Sequence, residues 1–397
     1  MLDRPAIARV IASLVAAELK SLRPGQNDSP SRAKLADDFA IKDGPLALDS
    51  LEFMALATTV ASFFGFFDTG REDTLLRDRT LNTWVDRVAA SLQQTEATAL
   101  ESAVTFCTSG STGTPQRVRH PAAWLAQEVD AWRTHLSTRK RALVVCPVHH
   151  IYGYIWGVLV PQMMHLPVVD LDVESLHPSV LQPGDLLVTV PPVWTYLANS
   201  RFPFAADVYG ISSTAPLPDA TARAVATNGL ARLLQIYGST ETAGVAWRDS
   251  PDAAYELLPF WRRTELAGQF ARHCVDGEHR LFAWPDVLNW QSDTRFNVER
   301  RHDGAVQIGG HNVSTAWVQA RIVETENVAE CAVRTFVAGA DTRIKVFIVL
   351  RSDTEQARHD LVFLLRQSLP QQAQPKHFTF GLALPVNEQG KPADWPL

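Results

Sequence analysis

Thr108-Ser109-Gly110-Ser111-Thr112-Gly113-Thr114-Pro115 is the stretch whose reading decides the fold. Five hydroxyl side chains, two glycines and a closing proline stand in eight consecutive residues. Such a loop can wrap closely around an anion, offering backbone N–H groups and hydroxyl donors to phosphate oxygens. No Gly-Lys-Ser/Thr follows at Walker A spacing, so it is not that loop. Apolar Val104-Thr105-Phe106-Cys107 precedes it and reads as the strand that delivers it. Taken alone, a Ser/Thr/Gly cluster is as readily an ordinary surface loop, so its meaning depends on what lies around it.

Upstream, residues 5–20 show helical spacing (Ile7, Val10, Ile11, Leu14, Val15, Leu19) and break at Leu22-Arg23-Pro24-Gly25. Helical patterns return at 50–66 and at 81–93, where Leu81, Trp84, Val85, Val88 and Leu92 share a face. Downstream of 103 the texture changes. Short β-rich runs (142–146, 186–190, 208–211) alternate with helical stretches and Gly/Pro turns, the signature of α/β layers around a sheet. A third texture begins near 303, with strands at 333–336 and 345–350 and an amphipathic helix at 354–369. The expected domains are a helical 1–98, an α/β 99–302 and a small α+β 303–397.

Composition narrows the function. The chain has 397 residues, 46% of them hydrophobic and 20% charged, and a formal charge of −6. That balance is of a globular protein and speaks against a nucleic-acid binder. The four cysteines, Cys107, Cys146, Cys274 and Cys331, lie far apart and read as thiols of a reducing compartment, not as a disulfide or zinc framework. Charged residues among the first 20 argue against a signal peptide, and no apolar run approaches a membrane span. The expectation is a cytoplasmic protein with no membrane partner.

Four further signals follow the loop. Tyr237-Gly238-Ser239-Thr240-Glu241-Thr242, after the apolar run 233–236, can present a stacking ring, a phosphate donor and a metal ligand from one turn. Glu241 is a hard oxygen ligand suited to Mg²⁺ on a nucleotide phosphate. Asp293 could bridge two ribose hydroxyls. Arg301-His302-Asp303-Gly304 runs into Gly309-Gly310. Asn387-Glu388-Gln389-Gly390-Lys391 is a loop able to carry a cation to a distant site.

In order and kind these segments resemble the adenylate-forming superfamily of acyl- and aryl-CoA synthetases, nonribosomal adenylation domains and luciferases. TSGSTGTP (Thr108, Ser109, Gly110, Ser111, Thr112 and Gly113 foremost) matches its phosphate loop, and YGSTET its adenine and Mg²⁺ motif. Ser213-Thr214-Ala215-Pro216-Leu217 resembles the segment lining the adenine and acyl pockets, and Pro147–Gly153 the segment whose His, here His150, gates the acyl pocket. Asp293 falls where the ribose-binding Asp does, Arg301 and Asp303 where the Arg and hinge Asp do, and Lys391 where the adenylation lysine does. The resemblance implies two steps: ATP and a carboxylate give an acyl-adenylate and pyrophosphate, and a pantetheine thiol then displaces AMP. Thr240 and Glu241 with Mg²⁺, together with Lys391, would act in the first step. The small domain would turn about Asp303 and bring the Gly309-Gly310 strand to a thiol tunnel for the second.

Two departures stand out. The phosphate loop continues as Gln116-Arg117 where the superfamily has Lys-Gly, so a cation is displaced by one residue. Only 107 residues precede the loop, which implies a truncated large domain. Asp49-Ser50-Leu51-Glu52 before an apolar helix resembles the modification site of an acyl carrier protein, with Ser50 as the 4′-phosphopantetheine attachment point. Asp49-Ser50 can equally cap a core helix. A helix with Glu52 as its single acid suits permanent packing, so a fixed carrier-like scaffold is the favoured reading. The short build is similar to the hydroxybenzoate–acyl carrier protein ligases of aryl polyene and xanthomonadin-type pigment pathways. An aryl-acid–carrier ligase is the leading expectation, a CoA ligase the alternative, and a non-catalytic nucleotide-binding relic the third.

Overall fold

Asp3 opens the first helix, α1 (Arg4–Leu22), accepting from the backbone N–H of Ala6, with Pro5 in the first turn where no partner for an N–H is needed. The computed structural model describes residues 2–23, 39–42, 44–95, 102–108, 116–265, 268–284, 286–301, 305–308, 311–338, 341–386 and 393–397. Helix α2 (Ser50–Phe63) starts on a reciprocal capping box between Asp49 and Glu52. Arg23 grips the same Glu52 in two bonds of 2.6 and 2.7 Å, holding its carboxyl down at about 2. Helix α3 (Leu81–Thr95) turns Trp84, Val85 and Val88 inward. Both α2 and α3 pack on α1.

A hairpin, β1 (Ala103–Thr108) and β2 (Gln116–Pro121), flanks the 109–115 loop and leads into α4 (Ala122–Leu136). Next come β3 (Arg141–Val144), α5 (Ile151–Tyr154) and α6 (Val160–Met163), then β4 (Val168–Asp170) and β5 (Asp185–Val188). They are followed by α7 (Pro191–Asn199), β6 (Tyr209–Ser212), α8 (Asp219–Thr227) and β7 (Arg232–Ser239). Strands β4, β3, β5, β6 and β7 lie parallel in that order. All four residues of β5 are buried, Leu186-Leu187-Val188 as the apolar run of a strand covered on both faces and Asp185 paired with Arg141. Beyond β7 the sheet continues antiparallel through β8 (Ala243–Arg248) and β9 (Tyr255–Leu257). A small sheet holds β10 (Trp261–Arg263), β11 (Gln269–His273) and β12 (His279–Ala283). The hairpin β13 (Asp286–Trp290) and β14 (Arg295–Arg301) completes the large sheet beside β9.

The larger of two compact units comprises 1–108, 117–282 and 290–296. The helical block thus belongs to the same unit as the parallel sheet. Its attachments are specific. Between α5 and α6 the helix widens into a π turn at Ile155–Leu159. Pro161 has no N–H for the Gly157 carbonyl four residues back, and Arg9 donates to that carbonyl instead, at 2.6 Å, while pairing twice with Asp170. Ser13 Oγ accepts from Val148 N–H and meets His149 Nδ1 at 2.8 Å. Arg117 reaches Ser62 and lies over Phe67, and Arg119 pairs with Asp68. The displaced cation of the phosphate loop is therefore spent on the helical block.

The second unit comprises 109–116, 283–289 and 297–397. Its described strands include β15 (Val306–Ile308) and β16 (His311–Val313), followed by α9 (Thr315–Val323). A sheet of β17 (Val328–Ala338), β18 (Asp341–Leu350) and β19 (His377–Phe380) carries α9 and α10 (Glu355–Ser368) on a core including Val318, Ile322, Val346, Ile348 and Leu361. Buried Lys345 donates to the Trp395 carbonyl and pairs with Asp394, and Ala393 N–H donates to Pro385 O. This ties down both flanks of the 387–392 segment.

Candidate active site

The parallel strands end on one edge of the sheet, and the segments after three of them hold candidate residues. His149 and His150 follow β3, Ser213–Pro216 follows β6, and Tyr237–Glu241 closes β7. The carboxyl edge of an open α/β sheet is where ligands bind, because the loops there converge while the strands hold them rigid. Ser213 Oγ donates to the Ile236 carbonyl at 2.9 Å and links two of these segments. Tyr152 Oη donates to Thr189 O and Ile211 O, at 2.8 and 2.9 Å, and binds the ends of β5 and β6 together. Burial raises that phenol far above its ordinary value, so it remains a donor.

Backbone strain marks the same edge. Thr214 has φ +77° and Ala243 φ +60°. The left-handed region penalises a Cβ, most of all a branched one, and such outliers cost about 1–3 kcal/mol each and concentrate at functional turns. Gly238 shows why its position takes no side chain: a Cβ would run into the Ala243 carbonyl. The bulge between Tyr237 and Gly238 in the β7–β8 pairing re-aims the turn. Glu241 is exposed at its tip and Thr240 half-buried. A single accessible carboxylate suits Mg²⁺ that arrives on phosphate oxygens and keeps much of its water.

Tyr237 packs against Tyr255 and Phe296, centroids 5.3 and 5.4 Å away. Phe296 follows the 291–294 turn that exposes Asp293, where Ser292 Oγ accepts from Thr294 and Arg295 N–H. His150 is exposed at the N-cap of α5, its ring 4.2 Å from that of His149. Ser50 is exposed at the first position of α2. Thr108 ends β1 and Arg301 ends β14. Ser109, Gly110, Ser111, Thr112, Gly113, Asp303, Gly309, Gly310 and Lys391 lie outside the described residues. Trp156 and Trp194 are fully packed in the core, Trp156 against Trp132 and Trp194 donating to Ile211 O.

Behind the Tyr237–Glu241 turn lies a buried polar group that the motifs do not include. His120, on β2, donates from Nε2 to the Thr240 carbonyl at 2.6 Å. Burial lowers its value to about 4, so the imidazole is neutral with its proton on the nitrogen that faces the carbonyl. Glu128, fully buried on α4, accepts from Gly244 N–H at 2.9 Å; burial raises its carboxyl to about 7. Gly244 has no room for a Cβ because that carboxyl sits on its Cα. Arg272, fully buried on β11, donates to Thr242 O and Trp124 O among the rings of Trp124, Phe260 and Trp261. Burial brings it down to about 10, and it stays a cation. Two sequence signals point here. Glu128 sits in the apolar stripe Trp124, Leu125, Val129, Trp132, and Arg272 on the inward alternation Phe270, Arg272, Cys274.

Residues 51–266 match the family of AMP-binding enzymes. Over its whole length the chain is similar to proteins named 4-coumarate–CoA ligase. One from Halorhodospira halophila is 37% identical, covering 98% of this chain and 99% of that protein. Another, from Rhodobacter capsulatus, is 33% identical over 98% and 100%. Among solved structures, the amide bond synthetase of Marinactinospora thermotolerans superposes with a TM-score of 0.59 at 17% identity, covering 97% of this chain and 92% of that one. The o-succinylbenzoate CoA synthetase of Bacillus subtilis gives 0.61 at 17%, over 74% and 68%. These likenesses show the adenylate-forming fold, with its large mixed sheet and small C-terminal sheet. The chain belongs to the AMP-binding enzyme family, as an AMP-forming acid–thiol ligase.

Proposed function

We propose that the protein activates an aryl carboxylic acid of the hydroxycinnamate or hydroxybenzoate type with ATP and passes the acyl group to the thiol of coenzyme A. The observation that carries the reaction class is the pair of strained positions at one strand edge, Thr214 within Ser213–Pro216 and Ala243 just after Tyr237–Glu241. The acid class and the acceptor are supported by the full-length relatives, each named a CoA ligase. They favour free CoA over the carrier protein expected from the sequence. The capping role of Asp49 and Glu52 favours Ser50 as a helix residue, without 4′-phosphopantetheine.

In the first step a carboxylate oxygen attacks the α-phosphorus of ATP and the bond to pyrophosphate breaks. Tyr237 and the Ser213-Ala215-Pro216 segment would cradle adenine, with Gly238 allowing close approach. Asp293 would accept from the ribose hydroxyls and Arg301 support them. The 108–113 loop would hold the β- and γ-phosphates, and the Thr240 hydroxyl would donate to a phosphate oxygen. Glu241 would hold Mg²⁺, which supplies neutralisation of charge growing on the phosphates. Lys391 would do the same at the α-phosphate, and His150 would flank the acyl group. In the second step the thiolate attacks the acyl carbon and AMP leaves, with Asp303 as hinge and Gly309-Gly310 beside the thiol.

The test is pyrophosphate release across a panel of 4-coumarate, 4-hydroxybenzoate and octanoate, each with CoA or a holo-carrier protein. Turnover of the aryl acids with CoA is expected. Turnover confined to the carrier protein would overturn the acceptor, and turnover confined to octanoate would overturn the acid class.

A further inference from the structure

The structure assigns His120, backed by Arg272 and Glu128, as a positioning residue that braces the Thr240–Glu241 turn against the strand leaving the 109–115 loop. The inference rests on the reading of that turn as the nucleotide and metal site. His120 belongs to β2 and Thr240 to the turn after β7, 120 residues apart in sequence, yet one short hydrogen bond joins them. The imidazole ring packs edge-on to Phe106 of β1, and the buried guanidinium of Arg272 holds the next carbonyl but one, Thr242 O. Glu128 holds Gly244 N–H. Three buried side chains from β2, α4 and β11 thus fix Thr240 O, Thr242 O and Gly244 N, every second residue of a strained segment.

The spacing explains why side chains are used. Beyond the Ser239–Ala243 pair, residues 240–242 turn outside the ladder, so the Thr240 and Thr242 carbonyls have no strand to bond. Leaving such a carbonyl unpaired costs about 1–3 kcal/mol, which would reopen the turn. His120 and Arg272 fill that need with rigid planar donors, so the half-buried Thr240 hydroxyl and the exposed Glu241 carboxylate are set from behind without entering the site themselves. The bond also joins the strand leaving the 109–115 loop to the turn carrying Glu241.

The test compares two amides of equal polarity. In His120→Gln the side-chain nitrogen reaches the place of Nε2; in His120→Asn it stops at the place of Nδ1, short of Thr240 O. For pyrophosphate exchange, H120N is expected to raise the half-saturating magnesium concentration about tenfold, the worth of roughly one hydrogen bond. H120Q should stay near wild type, with KM for the acid unmoved in both. If H120N does not fold, His120→Phe, which keeps the ring on Phe106 and removes the donor, replaces it. Equal magnesium responses in the two variants, with only the unfolding temperature lowered, would overturn the positioning role. Glu241→Gln is the control for the underlying reading. Should it leave the magnesium requirement unchanged, the metal assignment falls, and the brace is then judged on ATP affinity by calorimetry. Weaker binding by H120N than by H120Q upholds it, and equal affinities overturn it.

Discussion

Replacing Glu128 by Gln should change how stability depends on pH, in a direction opposite to that expected of most carboxylates. Burial raises the folded carboxyl to about 7 from an ordinary 4.5. Between those values the native protein keeps a proton that the unfolded chain has released. The group's contribution is therefore complete below about pH 4.5 and is lost as pH rises through 7. At about 1.4 kcal/mol for each pH step of one between the two values, the swing is roughly 3 kcal/mol. The substituted amide keeps an acceptor for Gly244 N–H and carries no charge at any pH. The unfolding free energy of wild type minus that of E128Q should fall by roughly 3 kcal/mol from pH 4.5 to 7.5. Urea titrations read by tryptophan fluorescence at half-unit pH steps measure it, and urea leaves the Arg272 field unscreened. Curves that stay parallel within about 0.5 kcal/mol would refute the reasoning.

His120 provides the counter-experiment and other sites follow. Its folded value is about 4 against 6.5, so its contribution is full above pH 6.5 and lost as pH falls through 4; in H120Q the wild-type-minus-variant difference should rise with pH across that window, read by the same titrations. Gly244→Ala drives a Cβ into the Glu128 carboxyl and should cost at least about 2 kcal/mol by urea unfolding. Tyr152→Phe removes a donor shared by two carbonyls and should lower stability by about 1–2 kcal/mol in the same assay, with KM for ATP within twofold or so. Ser50→Ala should change stability by less than about 0.5 kcal/mol, and wild type should show no mass gain with a phosphopantetheinyl transferase and CoA.

The elements visible in the sequence are helices with one apolar face and short apolar runs of strands buried in the sheet. Helices expected at 5–20, 81–93 and 354–369 stand at Arg4–Leu22, Leu81–Thr95 and Glu355–Ser368. The strands expected at 142–146, 186–190 and 208–211 are β3, β5 and β6 within two residues. Strands β8, β10 and β11 are hidden in the sequence because their arginines disguise them. Arg248, Arg263 and Arg272 lie over Tyr255, Trp290 and Trp124, so guanidinium planes pack where an alternation of aliphatic residues would have been recognised. In the candidate site, the turn of Tyr237–Glu241 is legible as a turn because its chemistry is local. His120 is not, since the carbonyl it serves is 120 residues away. Arg117, the cation displaced by one residue from its place in the loop, bonds Ser62.

The bonds of Arg9 and Ser13 to residues 148–170 bear on how the chain comes into being. Helix α1 leaves the ribosome well before its partners Gly157 and Asp170, which are 148 and 161 residues further along the chain. At about 5–20 residues per second the helix waits roughly 10–30 s for them, with its apolar stripe sheltered only by α2 and α3. Contacts of such span slow the final collapse. Until Gly157 is made and Pro161 has left its carbonyl open, α1 waits without its distant partners.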